Sequence, residues 1–156
     1  PPVTSEELKE DIAVELENIE TILHELSALY GDVKGRDVVI REKTAASAFL
    51  AQFYSGIENI LKRISRFYNV ALPSGDMWHV DLFRRFCEPS LSPLPVLFDD
   101  SLSSALAPYR KFRHVVHHGY GFQLEWDRMA EGIENAEPVF MCFKANLNTY
   151  LMTLDG

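Results

Sequence analysis

The chain has 156 residues, 47% of them hydrophobic, and carries 15 Lys and Arg against 23 Asp and Glu, a net charge of -8. That length suits one core and is short for two, and the negative balance excludes a protein that coats nucleic acid by long-range attraction. No apolar run approaches the roughly 18 to 20 residues of a membrane span, and the acidic start from Thr4 to Glu20 does not read as a signal peptide, so the expectation is a soluble, cytoplasmic single domain over residues 1–156.

Apolar residues at Leu8, Ile12, Leu16, Ile19, Leu23, Leu26 and Tyr30 step by threes and fours along one face of a first helix. Thr4 or Ser5 is placed to cap it and Gly31 to end it. A second helix is predicted over roughly Asp37 to Tyr68. Its stripe is Ala46, Leu50, Phe53, Ile57, Ile60, Ile64 and Phe67, while Lys43, Gln52, Glu58, Lys62 and Arg66 fall elsewhere. At 1.5 Å per residue either helix spans on the order of 40 Å, a length that suits a bundle.

Pro73-Ser74-Gly75-Asp76 reads as a turn and cap before a short apolar helix holding Met77, Trp78, Val80, Leu82, Phe83 and Phe86, expected to plug one end of the bundle. Pro89, Pro93 and Pro95 make the following stretch an extended connector. Asp99 or Asp100 can cap a fourth long segment with core stripe Leu102, Leu106, Tyr109, Phe112 and Val116, kinked at Pro108 and closed at Gly119 by a left-handed cap. A last helix begins near Leu124 and runs through Phe140 and Leu151, with an irregularity at Pro138. No alternating segment of convincing length occurs. The predicted class is all-α, an up-and-down bundle of four principal helices plus a short one. Cys87 and Cys142 lack Cys-x2-Cys spacing, form neither a disulfide framework nor a zinc knuckle, and are expected in or near the core.

The charge is unevenly spread. Ser5 to Glu25 holds eight carboxylates and one lysine, whereas residues 110–118 hold Arg110, Lys111, Arg113, His114, His117 and His118 with no acid. A local basic site on an acidic body suits focused contact with a few phosphates. Residues five apart on a helix lie about 140° from each other, so Arg113 and His118 share a site only if the helix ends at Gly119. The last-turn carbonyls would favour the protonated His118 by roughly 0.3 to 1 kcal/mol. Metal-free RNA cleavage needs a base for the 2′-hydroxyl, an acid for the 5′-oxygen and charge stabilisation at phosphorus. Histidine suits both proton transfers and arginine the third task. One chain offers one Arg/His pair, so a two-fold dimer joining two clusters in one cleft is expected.

Arg113, His118 and Tyr120 spell Arg-x4-His-x-Tyr. Together with the helical order, the length and the late position of the motif, this resembles the HEPN superfamily, and specifically the HepT-like ribonuclease toxins. The resemblance implies a dimeric, metal-independent endoribonuclease that needs no cofactor. It further implies one half of a toxin–antitoxin pair, neutralised when a minimal nucleotidyltransferase antitoxin adenylylates the motif tyrosine, here Tyr120. Arg113 and His118 would be catalytic, and Arg110, His114 and His117 auxiliary phosphate or RNA contacts. His114 departs from the polar residue, often Asn, that the family usually has after the arginine.

Two other readings stand beside this one: a non-catalytic HEPN-like module that pairs with a nucleotidyltransferase, and a metal site using the i, i+4 spacing of His114 and His118. Arg63 and Arg66 could extend an RNA surface or be solvated helix charge. His79 and His24 read as structural, and Trp78, Phe83 and Phe86 as core, because few cations interleave with them.

Overall fold

The computed structural model describes residues 2–155. Five helices follow one another: α1 (Ser5–Val33), α2 (Ile40–Phe67), α3 (Trp78–Arg84), α4 (Asp100–His118) and α5 (Trp126–Met152), with a 3₁₀ turn at Gly121–Gln123 before α5 and another at Thr153–Asp155. Among the described residues there is no strand, only an isolated bridge between Cys87 and Phe98. The fold is an all-α bundle. Around it α1 packs on α2, α2 on α4, α4 on α5 and α5 back on α1, while the short α3 lies against α2 outside this ring. Among the described residues no helix is long and apolar enough to cross a membrane.

The predicted stripe of α1 is its buried face, from Leu8 to Leu26. Thr4 Oγ1 accepts from the Glu7 N–H at 3.1 Å, satisfying one of the free donors of the first turn. Gly31 does not end the helix, which continues to Val33 because buried Val33 still gains by staying helical. α2 carries two parallel stripes. One is the predicted series through Ala46, Leu50, Phe53, Ile57, Ile60 and Ile64. The second is Ser47, Ala51, Tyr54, Glu58, Leu61 and Ser65, with the same steps of three and four and equally buried. A helix buried over two adjacent stripes sits at the centre of a bundle. Gly56 lets α1 approach, since a Cβ there would lie 2.6 Å from Ile19 Cγ1.

α3 is shorter than its apolar run, but Leu82, Phe83 and Phe86 are buried as expected. The proline-rich connector folds back onto this end. The N–H groups of Leu97 and Phe98 both donate to Phe86 O, and Asn146 Nδ2 donates to Leu97 O at 2.9 Å. Phe98 then stacks between Phe83 and Phe143, with ring centroids 4.2 and 5.8 Å away. Cys87 is half-buried, whereas Cys142 is exposed on the outer side of α5 between the buried Phe140 and Phe143, which corrects its expected place near the core.

α4 is capped by Asp99, whose carboxylate accepts from Leu102 N–H at 2.7 Å. Pro108 removes one donor, yet the helix runs through it to His118, as α5 runs through Pro138. Tyr109 ties α4 to α5 by donating its hydroxyl hydrogen to Gly132 O at 2.6 Å, and a Cβ at Gly132 would meet Phe112 at 2.8 Å. Gly119 ends α4 in an extended conformation (φ -157, ψ -151), not the left-handed cap that was expected. The chain there leaves the helix directly toward the 3₁₀ turn instead of curling back over the last carbonyls. α5 starts at Trp126 because Leu124, the expected start, belongs to the turn, its N–H donating to Gly121 O.

Candidate nucleic-acid site at the end of helix α4

The basic cluster occupies the last two turns of α4. Lys111, His114, His117 and His118 are exposed, and Arg110 and Arg113 are half-buried. His114 and His118 lie on one face, with ring centroids 4.5 Å apart, and His114 is 6.3 Å from His79 of α3. Three imidazoles thus form a row from the bundle interior to solvent. His79 is the buried end of that row, held 5.8 Å from the Trp78 ring. Burial pulls the pKa of His79 down, and the neighbouring charges of Arg113, His114, Arg110 and His118 act in the same direction. His117 is pulled down by burial and then by Arg113 and His118. The charges of Arg113 and His118 thus both act on His79 and His117.

The Arg113 guanidinium does not stand free in solvent. Only 12% of its side chain is exposed. Its Nε lies 2.8 Å from Glu58 Oε1 of α2, and its guanidinium carbon sits 5.1 Å from the centroid of Trp78, whose ring also has Lys62 Nζ at 4.5 Å. Trp78 is thus flanked by two cations, contrary to the expectation that few cations accompany these aromatics. The N–H of Arg113 is not aimed along the contact with Glu58. Arg113 Nε, Glu58 Oε2 and Tyr54 Oη are all buried without hydrogen-bond partners, a costly arrangement that needs a compensating reason. Burial drives Glu58 up to about 7 against the opposing pull of Arg113 and Lys62. Burial raises Tyr54 as well, helped by the adjacent carboxylate.

Glu58, 2% exposed, is the functional candidate that the single-stripe reading of α2 left on the polar side. The signal was present: Glu58 continues the series Ser47, Ala51, Tyr54, Leu61 and Ser65, and a carboxylate set in such a series is buried. His79 and Trp78 carried no comparable signal, because only the packing of α3 on α2 brings them to Arg113. Arg63 is engaged elsewhere, with Asp11 at 3.3 Å and Glu15 at 3.1 Å.

A cleft of about 690 Å³ opens between α3, α4 and α5 beside the row, lined in part by His79, Arg110, Lys111, His114 and Arg128 over an apolar floor that includes Phe112. Arg110 also lies over the Phe83 ring, at 5.9 Å. Tyr120 stands clear of the helix end, 64% exposed on extended backbone. Among the described residues no group of three or more His, Cys, Asp or Glu is placed to hold a metal ion.

Residues 45–154, well over half of the chain, match the family model of the HepT-like proteins. The chain belongs to that family. The matched span takes in most of α2, all of α3 to α5 and with them every residue of the Arg113–His118–Tyr120 motif. No curated protein and no solved structure matches the chain.

Proposed function

We propose that the protein is an endoribonuclease toxin that cleaves RNA without a metal, by attack of the 2′-hydroxyl on the adjacent phosphate. The observation that carries this reading is the pairing of two exposed imidazoles, His114 and His118, at a helix end next to a buried, always-charged guanidinium. His118 serves as an acid/base group, and Arg113 stabilises charge on the phosphate through the part of its fork that remains exposed. Arg110, Lys111, His114 and His117 are auxiliary contacts, with His114 placed to share the proton traffic. Glu58 is a positioning residue: it touches no substrate and acts by holding Arg113.

The functional unit in this reading is a homodimer, and the inhibiting partner is a nucleotidyltransferase that adenylylates Tyr120. The exposure of Tyr120 supports the latter role, because an acceptor must enter a second enzyme's site, and added phosphate beside His118 would occupy the place of the substrate phosphate. Purified protein incubated with total RNA in chelator, beside His118→Ala, tests the reading. Cleavage by the native protein alone is expected; equal cleavage by both sinks it. Subunits carrying Arg113→Ala mixed with subunits carrying His118→Ala should regain part of the activity if the cleft is shared.

A second reading, a non-catalytic partner of a nucleotidyltransferase, draws on the burial of Arg113 between Glu58 and Trp78, which gives the arginine a structural use. Absence of cleavage by native protein in the same assay favours it.

A further inference from the structure

Two aromatic rings stand in the open immediately beyond the basic helix end. Tyr120 is 64% exposed and Phe122 41%, whereas many aromatics elsewhere, such as Phe53, Tyr54, Tyr109 and Phe140, are buried. The two rings stack on each other, with centroids 5.6 Å apart and planes 22° from parallel. Each therefore keeps a π-face turned away from the other.

The turn that holds them is built tightly. Gln123 N–H donates to Tyr120 O at 3.0 Å and Leu124 N–H to Gly121 O at 3.1 Å. Gly121, between the two aromatics, lies so close to α2 that a Cβ would come 2.0 Å from Ser47 Oγ and 2.8 Å from Ser47 Cβ. That contact sets where the rings stand relative to α4. Two residues of chain span at most about 7 Å, so the first ring begins within one such step of His118.

Charge decides what the rings would meet. From Arg110 to Leu124 there are three cations and three histidines and no carboxylate, in a chain whose net charge is -8. A ligand that follows the cations and covers the rings needs phosphates and flat apolar faces at successive positions, and single-stranded nucleic acid supplies both. Bases of a duplex are already stacked on one another and do not offer their faces.

We infer that Tyr120 and Phe122 form a stacking site for a nucleobase of single-stranded RNA, next to the phosphate held at His118. The inference deepens the ribonuclease reading and rests on it for the identity of the polymer. Phe122 supplies the stack, and Tyr120 backs it from the other side. Base–aromatic stacking tolerates any base, so the site contributes affinity and register rather than sequence choice.

The test uses a fluorescein-labelled single-stranded 2′-O-methyl oligoadenylate, which lacks the attacking hydroxyl, and a phosphodiester strand of equal length with abasic sugars. Binding is read by anisotropy with the full chain. Phe122→Ala and Phe122→Leu should both weaken binding of the oligoadenylate by between about fivefold and a hundredfold, the usual range for losing one base–aromatic stack. Phe122→Trp should retain it. All four proteins should bind the abasic strand alike. Circular dichroism melts of the variants, expected to match the native chain because Phe122 is half in solvent, identify any folding defect. The inference is overturned if native protein binds neither strand, if Phe122→Leu binds the oligoadenylate as the native chain does, or if the deficit is as large on the abasic strand. It is also overturned if Phe122→Ala changes the sedimenting mass and leaves RNA affinity untouched, since the rings would then cover a second copy of the chain. Cleavage of a 2′-hydroxyl oligonucleotide, run in parallel, separates the two readings: stacking-dependent binding without cleavage removes the nuclease and keeps the site.

Discussion

Glu58 Oε1 and Arg113 Nε meet at 2.8 Å in a place where the carboxylate is 2% and the arginine side chain 12% exposed. A buried ion pair with unpaired polar atoms around it is a poor source of stability, because the desolvation cost of two charges offsets their attraction. It is a good means of fixing a side chain. Glu58 crosses from α2 to hold the guanidinium of α4, with Trp78 of α3 closing over it. Three helices thus converge on one residue of the motif.

Removing the carboxylate outright should be expensive. Above pH 7, where Glu58 is ionised, Glu58→Ala leaves Arg113 charged and uncompensated, and a loss of about 3 to 5 kcal/mol is expected from breaking a buried pair on one side, measurable by denaturant titration. Glu58→Gln keeps the shape and should lose less. Its RNA cleavage should nevertheless fall with the native melting behaviour largely retained, which distinguishes positioning from simple folding support.

The same residue makes a pH prediction with a definite sign. Burial raises Glu58 in the folded chain to about 7 from its ordinary 4.5, so the folded state holds its proton over a window where the unfolded state releases it. The stability associated with that proton is fully present below about 4.5 and is lost as pH rises through about 7. Glu58→Gln lacks this component. The unfolding free energy of Glu58→Gln minus that of the native chain should therefore increase between these pH values and level off above them. His79 and His117, whose pKa values are lowered, pull the native curve the opposite way below their unfolded pKa, and taking the difference between the two proteins cancels them. A difference that is flat from pH 4.5 to 8 would contradict the burial of Glu58.

For the imidazole row, His118→Ala should reduce cleavage by about 10² to 10⁴, the usual range for a general acid or base. His114→Ala should narrow or displace one limb of the pH–rate profile while leaving some turnover. Steady-state rates on a defined oligonucleotide from pH 5 to 9 decide this. An unchanged profile in His114→Ala would confine His114 to binding.

Gly121 gives a purely steric prediction. Gly121→Ala places a methyl against Ser47, and overpacking of this kind costs about 1 to 3 kcal/mol. Ser47→Ala removes the nearer atom, and Ser47→Gly removes both at a helix-interior cost of about 1 kcal/mol. In a double-mutant cycle the Gly121→Ala penalty should shrink in each Ser47 background, more so with Ser47→Gly. Equal penalties would mean that the turn does not rest on α2.

Periodicity and composition determined the helices, the order in which they follow and most of the core. The reason is that a 3.6-residue repeat of Leu, Ile and Phe has only one way to leave water, and that pattern is local. Local chemistry likewise marked the cation-rich end of α4 and the Arg113–His118–Tyr120 spacing. Tertiary structure decided what surrounds that end. Whether Glu58 faced solvent or Arg113 depended on α2 being buried on two stripes, which follows from how many helices pack against it. The meeting of His79 with His114, and of Trp78 with Arg113, required α3 to dock, and Gly119 took an extended exit because the next turn had to reach Ser47. Each of these is a relation between residues far apart in sequence, set by the volume that the bundle had to fill, and no repeat along the chain encodes it.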